Sequence, residues 1–110
     1  MPPHAPVVME PLSDVSGYEG SRVELTCKLS GKPSPKILWY HNGDEISEDK
    51  KYHMLYKDNY ASLLIHDLET EDAGKYRCKA VNDLGDVSTT GKLSVDGKLS
   101  VNCFFFVLNK

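Results

Sequence analysis

One seven-residue stretch, Asp72 to Cys78, gathers several of the side chains that active sites use. It reads DAGKYRC and contains a carboxylate, two cations, a phenol and a thiol. From Gly74 onward apolar and charged residues alternate, and alternate residues of a β-strand point to opposite faces. Tyr76 and Cys78 are therefore expected to point inward and Arg77 outward. The alternation predicts a strand of the core, and the reactive groups are divided between its two faces.

The residues before this strand predict a tight corner. Residues 70 to 73 suit a single helical turn with Thr70 as its N-cap, and Gly74 supplies the flexible exit into the strand. The phenol of Tyr76 needs a hydrogen-bond acceptor if its ring is buried, and a backbone carbonyl upstream can provide one. We therefore expect Asp72 and Gly74 to shape a corner that Tyr76 closes.

The remainder of the chain offers no pattern typical of an enzyme or a metal site. Its four histidines lack the spacing of metal ligands. No serine or cysteine belongs to a motif that supplies a paired base, and the acidic segments EISEDKK and DLETED are typical of solvated loops. We therefore predict a protein that is not an enzyme, with no catalytic residues, no cofactor and no metal.

Length and charge limit the kinds of partner. The chain has 110 residues, of which 40% are hydrophobic, and this suffices for one domain. Its formal charge of −3 opposes binding to nucleic acid or to an acidic membrane, because both attract clustered positive charge. No apolar run approaches the length of a membrane span, and the opening MPPHAPVV lacks the apolar centre of a signal peptide. We expect protein partners, no nucleic acid and no membrane.

Short strands with frequent turn signals predict the fold class. Apolar and polar residues alternate from Val23 to Leu29, and Ala61, Leu63 and Ile65 would share the inward face of another strand. No useful length shows helical periodicity. The segments HNGD and NDLG are typical of tight turns between strands. Roughly seven to nine such strands fit an all-β fold, an antiparallel β-sandwich.

We expect the chain to have three segments. Residues 1–5 form a proline-rich linker, residues 6–95 form the domain, and residues 96–110 form a hydrophobic C-terminal tail. The tail repeats the GKLSV of residues 91–95 and then reads NCFFFVL, an apolar and β-prone run. We favour a tail that is disordered in solution, with tail-mediated self-association by strand pairing as the alternative.

The order of three residues carries a resemblance to a known family. Cys27, Trp39 and Cys78 fall on strands whose inward faces they share, so that the indole can lie against the two sulfurs. With DAGKYRC and NDLG they resemble the immunoglobulin fold. GKPSPKILWYHNG, LLIHDLETEDAGKYRCKAVNDLG and GKLSV further resemble the intermediate (I) set of that fold, as found in titin, twitchin and the terminal domain of myosin light-chain kinase. The resemblance implies a Greek-key sandwich whose core includes Cys27, Trp39, Leu63, Tyr76 and Cys78.

The same resemblance implies a function. It favours a structural and protein-docking module of a large sarcomeric or cytoskeletal protein in the cytoplasm, giving spacing, elasticity and partner binding. Its partners would be adjacent immunoglobulin or fibronectin-type modules and sarcomeric or actin-associated proteins. Two alternatives stay open, an extracellular adhesion or receptor domain and a regulatory module appended to a muscle kinase. Cys27 and Cys78 would stay thiols in the cytosol and form a disulfide outside the cell.

The outward face of the third, penultimate and last long strands is the candidate partner surface. Tyrosine and arginine are enriched at protein interfaces. The hypothesis competes with that of an ordinary solvated face, because most exposed sheet faces contain such residues without binding anything. The face mixes apolar, aromatic and basic groups: Leu38, Tyr40, Arg77, Lys79 and Val81.

Overall fold

Nine strands and one short 3₁₀ turn make up the part of the chain that the computed structural model describes, residues 2–97. The strongest feature predicted for the tail, the second GKLSV with the apolar run after it, lies almost wholly outside these residues. The predicted self-association through the tail also lies outside the described residues. The elements are β1 (His4–Glu10), β2 (Val15–Tyr18), β3 (Val23–Lys32), β4 (Lys36–His41), β5 (Asp44–Glu45), β6 (Tyr52–Lys57), β7 (Tyr60–Ile65), the 3₁₀ turn (Thr70–Asp72), β8 (Gly74–Asn82) and β9 (Gly85–Asp96).

The strands form the two sheets of a sandwich. One sheet has the order β1-β3-β7-β6 and the other β2-β9-β8-β4-β5. Neighbouring strands are antiparallel, except that β2 runs parallel to β9. The chain changes sheet five times, between β1 and β2, β2 and β3, β3 and β4, β5 and β6, and β7 and β8. The predicted all-β sandwich is confirmed.

The inward faces of both sheets form one core. β3 alternates buried and more exposed residues along most of its length, as its period of two predicts. Across the ladder between β4 and β8, Trp39 lies opposite Cys78. The structure places all five residues of the predicted core inside, each no more than 2% exposed: Cys27, Trp39, Leu63, Tyr76 and Cys78.

Hydrogen bonds close the corner before β8. The hydroxyl of Tyr76 donates to the carbonyl oxygen of Asp72 at 2.6 Å. The carboxylate of Asp72 accepts from the backbone N–H of Glu69 at 2.8 Å and from the Lys51 ammonium at 2.8 Å. Glu69 is thus the N-cap residue, and the prediction that Thr70 caps the turn is wrong. The side chain of Asp72 reaches back to the backbone N–H of the N-cap residue, as in a capping box, and Thr70 lies one residue inside the turn.

Gly74 leaves this corner in a backbone conformation that few other residues adopt. Its φ is +136°, in the region that glycine favours because it has no Cβ. A Cβ at this position would lie 2.6 Å from Oδ1 of Asn42. That same oxygen accepts a hydrogen bond from the N–H of Lys75 at 2.9 Å, so the turn after β4 is tied to the first residues of β8.

Two element boundaries differ from the predicted segments. β1 begins at His4, inside the predicted linker of residues 1–5, because His4 pairs with Lys32 and its carbonyl accepts from Nδ2 of Asn82 at 3.0 Å. β9 continues to Asp96, the first residue of the predicted tail, which pairs with Tyr18 of β2. Both differences arise because these residues pair with strands that are distant in sequence, and the local pattern of proline and glycine cannot predict such pairing.

Cys27 and Cys78 are buried free thiols, one in each sheet. The hydrogen bond with Cys27 and burial together raise the pKa of the Cys78 thiol, so that it keeps its proton at neutral pH. Such a pair packs as two small hydrophobic groups beside Trp39.

Removal of the Tyr76 hydroxyl should lower the free energy of unfolding at neutral pH and should reduce its further decline above pH 10. Tyr76→Phe leaves the Asp72 carbonyl without its donor, which should cost about 1–3 kcal/mol at neutral pH. Burial raises the pKa of Tyr76, whereas the unfolded phenol titrates near its ordinary value of about 10. The stability that this proton confers is therefore full below about pH 10 and is lost as the pH rises further, by at most about 1.4 kcal/mol per pH unit.

Urea unfolding between neutral pH and pH 11 measures this effect. The variant should be less stable at neutral pH and should lose less stability above pH 10 than the parent does. Tyr18→Phe is the matched control, since Tyr18 is 48% exposed and its removal should change neither quantity. An alkaline decline of equal steepness in the parent and in Tyr76→Phe would contradict the assignment.

Candidate protein-docking surface

Three adjacent strands, β9, β8 and β4, present one continuous outward face, here named the β4-β8-β9 face. Its rows are set by the antiparallel registers. Tyr40, Arg77 and Thr90 form one row, and Leu38 lies opposite Lys79 in the next. Val81 follows Lys79 on the same side of β8. The structure thus brings together all five residues of the predicted partner surface: Leu38, Tyr40, Arg77, Lys79 and Val81.

Arg77 and Tyr40 form a stacked pair at the centre of this face. The guanidinium carbon of Arg77 lies 4.6 Å from the centroid of the Tyr40 ring. A cation–π contact at a partly exposed site contributes about 0.5–1 kcal/mol. Among residues 2–97 the guanidinium has no carboxylate within ion-pair distance. The pair therefore orders a cation whose hydrogen-bonding edge can still meet a partner.

Lys79 forms an ion pair with a residue of the neighbouring strand β9. Its ammonium lies 3.5 Å from a carboxylate oxygen of Asp86, and the two side chains are 31% and 57% exposed. An exposed pair of this kind contributes between 0 and about 1 kcal/mol. Sequence reasoning missed Asp86, although the NDLG turn would have located it. Counting outward from the pairing of Asn82 with Gly85 places Asp86 beside this part of β8.

The end of the face nearest Gly74, here called its lower end, holds two more cations: Lys75, which the alternation along β8 places outward beside Arg77, and Lys92, which sequence reasoning missed. Lys75 lies directly opposite Lys92 in the β8–β9 ladder. Like charges at such positions repel, and within residues 2–97 neither ammonium forms an ion pair. The same count from the NDLG turn would have found this pair. The face therefore contains a local electrostatic conflict.

The charge of the β4-β8-β9 face is opposite to that of the whole chain. Its outward positions carry two carboxylates, those of Asp86 and Asp96. The protein as a whole has a formal charge of −3. A cationic face on an acidic protein favours association in one orientation. The face has five cations: Lys36, Lys75, Arg77, Lys79 and Lys92.

The described residues show neither a metal cluster nor a membrane helix. In residues 2–97 no group of three or more His, Cys, Asp or Glu side chains is placed to hold an ion. No helix in that range is long and apolar enough to cross a membrane. His41 stacks on Tyr76 with centroids 4.4 Å apart, and its Nε2 lies 3.0 Å from the carbonyl oxygen of Ala73. This histidine packs against the corner as a structural residue.

A two-sheet sandwich, a tryptophan beside two buried cysteines and a tyrosine-closed corner define an immunoglobulin-type module. Residues 6–95 match the family model described as "Immunoglobulin I-set domain". The chain belongs to this family. The predicted family and fold are thereby confirmed.

Relatives of the chain include muscle proteins. It is 42% identical over 91 residues to smooth-muscle myosin light chain kinase of Gallus gallus, a match that covers 83% of this chain and 5% of the kinase. It is 40% identical over 93 residues to the titin homolog of Caenorhabditis elegans, covering 83% of this chain and a share of the homolog that rounds to 0%. The chain therefore spans a small part of the length of these relatives.

The solved structure of titin M4 shares the fold. It superposes with a TM-score of 0.85 at 29% identity, over 86% of this chain and 99% of that one. Together with the sequence relatives, this match shows that the chain resembles the immunoglobulin modules of muscle proteins.

Reversing one charge of the facing lysine pair should stabilise the domain. Lys92→Glu converts a repulsive cross-strand pair with Lys75 into an attractive one, which should raise the free energy of unfolding by about 0.2–1 kcal/mol. Added salt should remove most of the gain, because both groups are near the surface. Urea titrations at low and high sodium chloride measure both effects.

Lys57→Glu on β6 is the control for this substitution. It makes the same change of net charge, and the residue opposite Lys57 is Tyr60, which carries no charge. If the control stabilised the domain as much as Lys92→Glu does, the gain would reflect net charge and the facing pair would have no special role.

Proposed function

We propose that the domain is a load-bearing spacer and protein-docking module within a larger sarcomeric or cytoskeletal protein of the cytoplasm. The resemblance to modules of muscle proteins supports this assignment. The two buried thiols are compatible with a reducing compartment, where such cysteines stay unpaired. We also propose that the module has no catalytic role. In a tandem array, the prolines before β1 would serve as the linker to a preceding module.

The parallel pairing of β2 with β9 carries the load-bearing part of the proposal. Val15 to Tyr18 pair in order with Leu93 to Asp96, and the N–H of Glu19 adds a bond to the carbonyl oxygen of Asp96 at 2.9 Å. β2 leads back toward the amino end of the domain and β9 leads toward its carboxyl end. Tension on the two ends therefore pulls parallel neighbours in opposite directions and loads the bonds of the ladder together.

Loss of this ladder should lower the force at which the domain unfolds. The double variant Val15→Pro/Ser16→Pro places two successive prolines on β2 and avoids Gly17, where a Cβ would lie 2.7 Å from Cγ1 of Val23. Proline has no N–H, and successive N–H groups of a strand point to opposite sides, so one of the two replaces a group directed at β9. Atomic-force pulling of a tandem array of the domain should give a clearly lower unfolding force for this variant.

Leu63→Ala is the control for the pulling experiment. It removes a fully buried side chain and should cost about 2–5 kcal/mol of stability while leaving β2 and β9 unchanged. Circular dichroism checks that both variants remain folded before pulling. The unfolding force should fall more for the proline variant than for Leu63→Ala. A larger fall for Leu63→Ala would assign the resistance to the core and remove the ladder from the proposal.

The docking part of the proposal is supported by the stacked Arg77–Tyr40 pair. An ordered arginine beside an aromatic ring, with Leu38 close by, is the combination that dominates binding energy at many protein interfaces. The stacking limits the motion of both side chains before a partner arrives, so less conformational entropy is lost on binding. We assign partner binding to the β4-β8-β9 face on this ground.

Co-sedimentation with washed myofibrils tests the docking surface. Tyr40→Ala/Arg77→Ala should reduce the bound fraction several-fold and shift the melting temperature little, because both residues lie outside the core. The opposite sheet offers a matched control, since Lys28 lies 5.1 Å from the Tyr60 ring centroid in an equivalent cation–π pair. Lys28→Ala/Tyr60→Ala should leave the bound fraction unchanged. Equal sedimentation of the parent and both variants would reject docking by this face.

A further inference from the structure

The cations of the β4-β8-β9 face differ in whether a carboxylate forms an ion pair with them. Lys79 has a carboxylate partner at 3.5 Å. Within residues 2–97, Lys75, Arg77 and Lys92 form no ion pair with any carboxylate. These three are neighbours, since Lys75 precedes Arg77 by two residues on β8 and faces Lys92 on β9. The cations without an ion-pair partner are thus concentrated at the lower end of the face, and two of them are the facing lysines.

A surface depression runs along this cluster. One open groove of about 660 Å³ is lined in part by Tyr40, Arg77, Thr90 and Lys75. A second depression shares Lys75 and Thr90 with it and continues to Lys92 and to Asp14, whose carboxylate accepts a hydrogen bond from the backbone N–H of Lys92 at 3.0 Å. Thr90 lines both depressions, and its hydroxyl can donate a hydrogen bond. The groove therefore combines three cations, a hydroxyl and an aromatic wall, with one carboxylate, that of Asp14, at its Lys92 end.

We propose that this groove binds an extended acidic segment of a partner protein. The inference rests on the proposed docking function and specifies the chemistry of the partner. Lys75 and Arg77 are about 6.6 Å apart along β8, which is also the spacing of alternate side chains in an extended peptide. A segment running along β8 with carboxylates at alternate positions would meet Arg77 with one of them and the Lys75–Lys92 pair with the next.

Charge complementarity selects this occupant. A carboxylate between Lys75 and Lys92 would replace their repulsion by two attractions, and Arg77 presents a planar fork that suits a carboxylate. A nucleic acid or an anionic membrane would have to approach a protein of formal charge −3 over a wide area. An extended segment needs contact with the cationic groove alone, so the acidic remainder of the domain repels it less.

Binding of a synthetic peptide in which glutamate alternates with serine tests the proposal, measured by isothermal titration calorimetry with the whole domain. The peptide should bind at low salt and weaken as salt is added. The same peptide with glutamine in place of glutamate should not bind. Lys75→Gln/Arg77→Gln should weaken binding about tenfold.

The opposite sheet again provides the control. Lys28 and Lys57 flank Tyr60 in one row of that sheet, so Lys28→Gln/Lys57→Gln removes the same charge at a different place. This variant should change the affinity less than about twofold, given that its lysines are on the far face. An equal loss in both variants would show that only net charge matters and would overturn the proposed groove.

Two further outcomes separate this inference from the docking function. If the peptide fails to bind while myofibril binding still depends on Tyr40 and Arg77, the face docks a partner that is not acidic and this inference is wrong. If the face variants affect neither assay, the docking function fails as well. Tighter capture of single-stranded RNA or phosphatidylserine vesicles than of the peptide would also overturn the assignment to an acidic protein segment.

Discussion

The two hydrogen-bonded ladders of β8 are the constraint on which both the core and the surface depend. β8 pairs with β4 on one side and with β9 on the other, and its side chains alternate between the two faces. Tyr76 is thereby buried at the corner while Arg77, its neighbour, reaches Tyr40. A shift of one residue in either ladder would exchange these positions. The corner at Asp72 fixes where β8 begins and so resists such a shift.

Alternation along single strands made most of the fold predictable from the sequence. The inward positions of Cys27, Trp39 and Tyr76 follow from a period of two, which is local information. The caps and boundaries were less predictable, because they depend on contacts between distant residues. The turn is capped one residue earlier than predicted, with the Asp72 carboxylate bound to the N–H of Glu69, and β1 extends to His4, whose carbonyl accepts from Asn82.

The candidate surface was predictable in part for the same reason. Residues on β4 and β8 were placed on one face by alternation alone, whereas Asp86 and Lys92 depend on the register of β9. That register follows from the two-residue turn between β8 and β9, where Asn82 pairs with Gly85. The parallel partner of β9 has no such local signal. β2 reaches it after a change of sheet between β1 and β2, and only the assembled fold shows which edge it joins.

The stability of the sandwich explains how the face can hold a repulsive pair. A like-charge cross-strand pair costs a few tenths of a kcal/mol, whereas a domain of this size is stabilised by about 5–15 kcal/mol. The core and the corner therefore determine whether the domain folds, and the outward residues of β8 and β9 can vary with little effect on that outcome. Lys75, Arg77 and Lys92 are free to be selected for what they attract, because the hydrogen bonds that hold their backbones do not depend on their side chains.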